Sequence, residues 1–240
     1  MLPPLLTADE ALGSGDALLE LKAHALGAAV ALVPAAIAAF ASVGRRAELQ
    51  DVVAWQDPHS DLPLYALWRR YARRDYDRDP LAPHQRAAQR ATVLGVPQLE
   101  HGAAHEAWLH AQGVGDRIAI YLRVAGTVDA MVMLVREPDQ RRFMPSEALQ
   151  LRRLQPLLEH AHATAVEPDA GTTHEVLRAS GLTAREADVA ELVGRGASNA
   201  EIARSLHVSE ATVKTHLTRI YVKVGVRRRT QLAILLGGDR

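Results

Sequence analysis

The chain has 240 residues, 28 basic and 28 acidic side chains and no cysteine, which excludes disulfides, thiolate metal sites and thiol redox chemistry. Its length suits two domains, each able to bury its own core. From Gly171 onward 11 lysines and arginines stand against 7 acids, net +4, and the preceding part carries 17 against 21, net −4. A basic tail behind an acidic front is the asymmetry expected when one domain meets a polyanion, with the acidic part placed to cover the basic one.

Residues from Ala23 to Gly44 carry no Asp, Glu, Lys or Arg, and reach the length of a membrane span. The stretch is alanine-rich, is broken by Pro34 and lacks a flanking basic cluster, so a buried helix turning into a buried strand at Val33-Pro34 is the expectation, with no membrane contact. The first residues, MLPPLLTADEALG, lack the positive start of a signal peptide; a soluble, cytoplasmic protein is expected. Helical spacing runs from Gly15 to Val33. Strands follow from Ala35 to Val43 and from Ala47 to Trp55, reversed at Gly44-Arg45-Arg46.

Next comes an amphipathic helix from Leu62 to Arg74, with Leu64, Leu67, Trp68 and Tyr71 on one face. A short helix from Pro83 to Thr92, a strand from Val93 to Leu99 and a helix from Ala103 to Gln112 are predicted after it. The strongest hairpin signal is Arg117 to Val124, then Ala125-Gly126, then Thr127 to Glu137; alternation in the first arm predicts one buried face. A long helix from Met144 to Ala163 carries Leu149, Leu151, Leu154, Leu157 and Leu158 as its stripe. This order predicts an α+β domain, an antiparallel sheet flanked by helices, over residues 1–163. TAVEPDAGTT, residues 164–173, reads as a linker, and residues 174–240 form the second domain.

In that second domain Thr183-Ala184-Arg185-Glu186 and Ser198-Asn199-Ala200-Glu201 are capping boxes, each marking a helix start. Gly194 and Gly196 stop the first of these helices, His207, Val208 and Ser209 separate the second from the third, and a fourth fits Thr230 to Leu236. In the third helix, a rotation of about 100° per residue puts Val213, Leu217, Ile220 and Val224 on one stripe facing the core. The opposite face holds Ala211, Thr215, Thr218 and Val222 between Lys214 and Arg219, with no carboxylate after Glu210. Such a face suits a major groove, cations on phosphates and the centre on base edges.

Residues from Leu182 to Leu236 resemble the DNA-binding domain of the LuxR/FixJ family of bacterial transcription regulators. The matching motifs are LTxRE at Leu182 to Glu186, GxSNxEIA at Gly196 to Ala203, SxxTVKxH at Ser209 to His216, Lys223, and RTQL at Arg229 to Leu232. The resemblance implies an all-α, four-helix helix-turn-helix domain that binds double-stranded DNA as a homodimer. By position, Lys214, Thr215 and Thr218 would face bases, and Thr183, Asn199, Ser209, Thr212, Arg219 and Lys223 would touch or orient on phosphates. Leu232, Ile234 and Leu235 would form the dimer seam. Ala200 departs from the lysine common in the family, and Thr218 stands where some members have a longer basic residue.

In the first domain, a phosphorylated receiver needs an acidic pair and a buried lysine, and Lys22, on the first helix, is the only lysine before the linker. Residues from Leu62 to Leu81 instead resemble the aromatic and Asp-Pro segment of acyl-homoserine-lactone receptors and related GAF-like sensors, through Trp68, Tyr71, Tyr76, Asp79 and Pro80. That resemblance implies an apolar pocket lined by the aromatics, with Asp79 accepting from a ligand amide. Tyr121, Met131 and Met133 on the hairpin are further pocket candidates. The departures are a closer spacing of Trp68 and Tyr71 to Asp79, and Leu94 near the place of a second tryptophan. Trp68 and Tyr71 equally suit plain core packing, and Asp79-Pro80 equally suits a turn.

His101 and His105 are one helical turn apart, with Glu106 and His110 following, but the HExxH order and any sure further ligand are lacking, so a solvated helix face and no metal are expected. With no glycine-rich phosphate cradle and no nucleophile set, neither enzymatic activity nor a cofactor is expected. The reading is a DNA-binding transcription regulator whose front domain senses a small, largely apolar ligand, an acyl-homoserine lactone among the candidates. A regulator that needs no ligand, its front domain serving dimerisation or a protein partner, is the alternative.

Overall fold

Six strands form one sheet in the computed structural model, which describes residues 5–44, 48–76, 79, 81–82, 93–95, 107–166 and 174–236. They are β1 (Leu5–Thr7), β2 (Ile37–Val43), β3 (Leu49–Gln56), β4 (Val93–Gly95), β5 (Asp116–Val124) and β6 (Thr127–Arg136), in the order β1-β3-β2-β6-β5-β4. All neighbours are antiparallel except β1, which runs parallel to β3 at the edge. Ala125 and Gly126, at φ 48° and 84°, turn β5 into β6. Two successive left-handed residues match the twist of the paired arms, and the second is the glycine that adopts it without a Cβ penalty.

Both faces of the sheet are covered. Ala38, Phe40, Ile118, Ile120, Leu122, Val132 and Leu134 pack towards the long helices α2 (Ala17–Leu32) and α4 (Pro145–Val166). The alternate residues Ala41, Val52, Ala119, Tyr121, Met131 and Met133 form a second core with Trp68, Tyr71 and Tyr76. That layer is α3 (Leu64–Arg70), which continues as a π-helical turn over Tyr71–Asp75. The single buried face expected of the first hairpin arm is corrected: β5 is buried on both sides from Asp116 to Leu122. Alternation in RIAIYLRV reflects Arg117, which is buried in an ion pair and not solvated.

The α+β architecture is as expected, with two additions. Thr7 caps α1 (Ala8–Leu12) through a reciprocal bond with Glu10, and β1 is too short for periodicity to reveal. Leu149 leaves the predicted stripe of α4, being 50% exposed. The predicted helix from Pro83 to Thr92, the reversal at 45–46, most of the predicted linker, and His101 and His105 lie outside the described residues. Among the described residues, no helix is long and apolar enough to cross a membrane. Lys22 is buried, its ammonium donating to Ser42 Oγ at 2.8 Å and the Asp51 carbonyl at 2.6 Å, and burial lowers its pKa to about 8. It is a strut between α2 and an antiparallel sheet, not the phosphate ligand of a receiver.

Arg136 ties three elements together at the end of β6. Its guanidinium donates to the Pro34 carbonyl (2.8 Å), to the Arg141 and Arg142 carbonyls and to Glu147 (2.9 Å) at the start of α4. Burial alone would push Glu147 up, but bonds from Arg136, the Met144 N–H and Arg141 outweigh it and hold the carboxyl at about 2. A depressed carboxyl stabilises the fold above its usual pKa of 4.5 and loses that contribution as pH falls towards 2. Glu147→Gln is therefore expected to be roughly 2–3 kcal/mol less stable than the wild type at neutral pH. Urea unfolding at a series of pH values should show the two proteins converging below pH 4.5; a constant gap would refute the assignment.

Candidate functional site

The C-terminal helices are α5 (His174–Ala179), α6 (Ala184–Gly194), α7 (Asn199–Ser205), α8 (Glu210–Val224) and α9 (Arg229–Leu235). Thr183 and Ser198 cap α6 and α7 through complete capping boxes with Glu186 and Glu201, and Ser209 caps α8 by accepting from Thr212 N. His207, at φ 53°, makes the turn between α7 and α8. Val213, Leu217, Ile220 and Val224 are the buried stripe of α8, and they anchor it against α6 and α7.

That anchoring fixes the outward face. Ala211, Lys214, Thr215, Thr218 and Arg219 are exposed, and Val222, at 72%, extends the surface. Thr215 Oγ1 donates to the Ala211 carbonyl and Thr218 Oγ1 to that of Lys214, both at 3.0 Å. Each hydroxyl thus spends its proton on the helix and presents acceptor lone pairs and a methyl group outward. An acceptor beside a methyl suits the amino group of adenine or cytosine, or the methyl of thymine, while Lys214 supplies a donor for guanine or phosphate.

The supporting residues divide by role. Thr183 and Ser209 use their hydroxyls as caps, Thr212 Oγ1 lies 2.9 Å from Ser209 Oγ, and Asn199 Oδ1 accepts from Arg229 at 3.3 Å. Lys223 is exposed beside this face, and its ammonium donates to Glu186 at 2.6 Å and to the Gly181 carbonyl at 3.3 Å. Burial pushes the Glu186 carboxyl up, but the bonds from Lys223 and Thr183 outweigh it and hold it below its usual value.

The expected dimer seam is also corrected. Leu232 and Leu235 are wholly buried, with α9 packed on α6, α2 and α4. Ile234 is half-buried and shares an open face of α9 with Thr230 and Ala233, at i, i+3 and i+4. The two domains meet on this side. Gly225, at φ 77°, ends α8 where a Cβ would lie 2.4 Å from the Ala28 carbonyl oxygen on α2. The N-terminal domain therefore covers the inner side of α9 and leaves the cation-flanked face of α8 open, contrary to the charge-based expectation that it covers the reader.

The second candidate site is a cavity of about 110 Å³ between the sheet and α3. Trp68, Tyr71, Met131 and Met133 line it as predicted, with Leu67, Ala39 and Val52. Tyr76 and Tyr121 pack beside it without lining it; the Tyr121 hydroxyl donates to the Leu81 carbonyl at 2.7 Å. Arg117 and Gln112 also line it, and sequence reasoning missed both. The π-helical turn that places Tyr71 has no signature in residue spacing, although such turns recur at functional sites.

Asp79 is buried behind the cavity wall and held there by Arg117 through two bonds of 2.7 and 2.9 Å. Its oxygens also accept from the Tyr71 hydroxyl (2.6 Å) and the Leu81 N–H (2.9 Å). Burial would raise the carboxyl, but the Arg117 charge and these donors hold it below its usual value. Burial and the adjacent carboxylate raise Tyr71 well above 10, so its phenol stays neutral and donating. The guanidinium also stacks near Trp108, 5.3 Å from its ring centroid. The aspartate is thus the centre of a structural knot between β5 and the turn after α3, which the Asp-Pro motif alone does not reveal.

Residues 180–236 match the family model of bacterial regulatory proteins, luxR family; this segment is a LuxR-type helix-turn-helix DNA-binding domain. The monoamine regulon transcriptional regulator of Klebsiella aerogenes is 32% identical over 157 residues, 64% of this chain and 65% of that protein. The CsgBAC operon transcriptional regulatory protein of Escherichia coli K12 is 54% identical over 50 residues, 21% of this chain and 23% of that one. The chain thus spans just under two thirds of the first relative's length and about a quarter of the second's. Both relatives are named as regulators, not enzymes. Among solved structures, Escherichia coli SdiA covers 95% of this chain and 89% of its own at 18% identity and a TM-score of 0.38, too loose to bear on function.

Proposed function

We propose that the chain is a DNA-binding transcription regulator of the cytoplasm, in which an N-terminal domain senses a small, largely apolar ligand and governs a dimeric LuxR-type reader. The observation that carries this reading is the exposed face of α8, small and hydroxyl-bearing between Lys214 and Arg219, on a segment of net charge +4. Its role divides the chain into a sensor over residues 1–163, lengthened by the continuation of α4 to Val166, a short linker, and a reader from 174 onward.

The apolar cavity beneath Trp68 supports the sensing role, and the contact of Gly225 with α2 supplies a route from sensor to reader. A ligand shifts the reader only by binding one docking arrangement better than another. Pairing of two copies falls to the open face of α9, around Thr230, Ala233 and Ile234.

Sedimentation and footprinting test the assembly. A dimer protecting two half-sites about one helical turn apart is expected, and Ile234→Asp should leave a monomer with weakened DNA affinity. A wild-type monomer protecting a single half-site would refute the dimeric reading. An unchanged dimer in the variant would move the seam elsewhere.

A further inference from the structure

The docking of the two domains places charge beside the reading helix. Gly225 ends α8 against α2, where a Cβ would lie 2.4 Å from the Ala28 carbonyl oxygen and 3.0 Å from Leu32 Cγ. A groove opens between the domains at this junction, lined by Leu32 of α2, Gln150 and Arg153 of α4, Gly181, and Val222 and Lys223 of α8. Val222 is 72% exposed and extends the outward side of α8, so the groove is continuous with the face proposed to read DNA.

The walls of this groove carry cations. From Pro145 to Leu158 the charged residues of α4 are Glu147, which is buried, and Arg152 and Arg153, which are exposed. There is no charged residue in α2 from Ala23 to Leu32, and no acidic one in α8 after Glu210. Glu186, which pairs with Lys223, is itself buried. The N-terminal part carries net −4 overall, yet the strip it turns towards α8 is basic.

Arg153 is placed to use that strip. Its stem crosses to the reader, its Cδ 3.6 Å from where a Cβ on Gly181 would stand, and it has no hydrogen-bond or ion-pair partner among the described residues. An exposed guanidinium offers a fork of N–H donors that matches a phosphate. A helix-turn-helix reader meets base edges with the N-terminal residues of its second helix. From Lys214 to Val222 the helix rises about 12 Å, close to the width of the major groove. With Lys214 and Thr215 on bases, Val222 reaches the rim of the groove, where the phosphates run.

We propose that the N-terminal domain is part of the DNA-binding surface: with the domains docked, Arg153 holds a backbone phosphate beside the major groove that α8 reads. The inference rests on the reading role of α8 proposed above. It gives docking a consequence, because only a docked N-terminal domain adds this contact to those of the reader. The contact is blind to sequence and raises affinity for every duplex.

The chain has no cysteine, so one introduced cysteine carries one probe. Arg153→Cys and Ala211→Cys, each in the full chain and each coupled to an iron-EDTA group that cuts nearby DNA backbone, are compared on a bound duplex; Ala211 is exposed at the start of α8. Both conjugates are expected to cut, the Arg153→Cys conjugate at the backbone flanking the bases that α8 covers. Arg153→Gln should bind about five- to tenfold more weakly per bound protomer at about 0.1 M salt, on specific and scrambled duplexes alike. Its plot of log affinity against log salt should flatten by about 0.9 per protomer, and Arg153→Lys, which keeps the charge, should retain most of the wild-type slope.

Cutting from position 211 without cutting from position 153, or an unchanged salt slope in Arg153→Gln, overturns this inference and leaves the reading role of α8 standing. No cutting from either position overturns both. A thermal shift of the wild type by inorganic phosphate that Arg153→Gln lacks, with DNA affinity unchanged, assigns the groove to a free anion and likewise overturns the proposal.

Discussion

Arg117→Met is expected to cost the N-terminal domain about 3–5 kcal/mol, because it leaves Asp79 ionised and buried without its counter-charge. The pair is bidentate and almost fully enclosed, so the loss exceeds that of a surface ion pair, about 0–1 kcal/mol. Replacing both partners, Arg117→Met with Asp79→Asn, should recover part of the loss, since the penalty lies in the stranded charge and not in the missing attraction. All three tryptophans, Trp55, Trp68 and Trp108, lie in this domain, so indole fluorescence during urea unfolding follows it selectively. A loss below about 1 kcal/mol in the single variant would show that water reaches the carboxylate and that the knot is not closed.

The second large effect concerns the reader. Lys214→Ala with Thr218→Ala is expected to weaken binding to a specific site by about 2–4 kcal/mol, each lost base contact costing roughly 1–3. Binding to an unrelated duplex should change much less, by the share of one phosphate-attracted cation. Both side chains are exposed and neither touches the buried stripe of α8, so the fold should persist. Fluorescence anisotropy with specific and scrambled duplexes separates the two. Equal losses on both would make the face an electrostatic one without sequence reading.

The reader was legible in the sequence because its signals are local. Capping boxes at Thr183 and Ser198 fix helix starts, and one 3.6-residue stripe fixes which side of α8 is left exposed. What escaped were contacts between distant residues. Lys223 stood out only through the family resemblance, and its ion pair with Glu186, 37 positions earlier, has no local signature. Leu232 and Leu235 read as a seam, and the packing of α9 against α6, α2 and α4 leaves them buried.

In the front domain the hairpin and the long helices followed from period and turn chemistry. The sheet's second covered face did not, because Arg117 in an apolar run imitates a solvated position. The aromatics on α3 marked the cavity, but their relation to Asp79 depended on the π-helical turn and on a partner 38 residues along the chain. Neither has a sequence period.

The central claim, that the outward face of α8 reads base edges, is tested most directly by selecting bound duplexes from a random library with the wild-type chain and with Thr218→Ala. The wild type should enrich paired half-sites of two-fold symmetry, and the variant should lose preference at a defined position in each half-site while keeping the rest. Identical preferences in the two proteins, or no enrichment by the wild type, would contradict it.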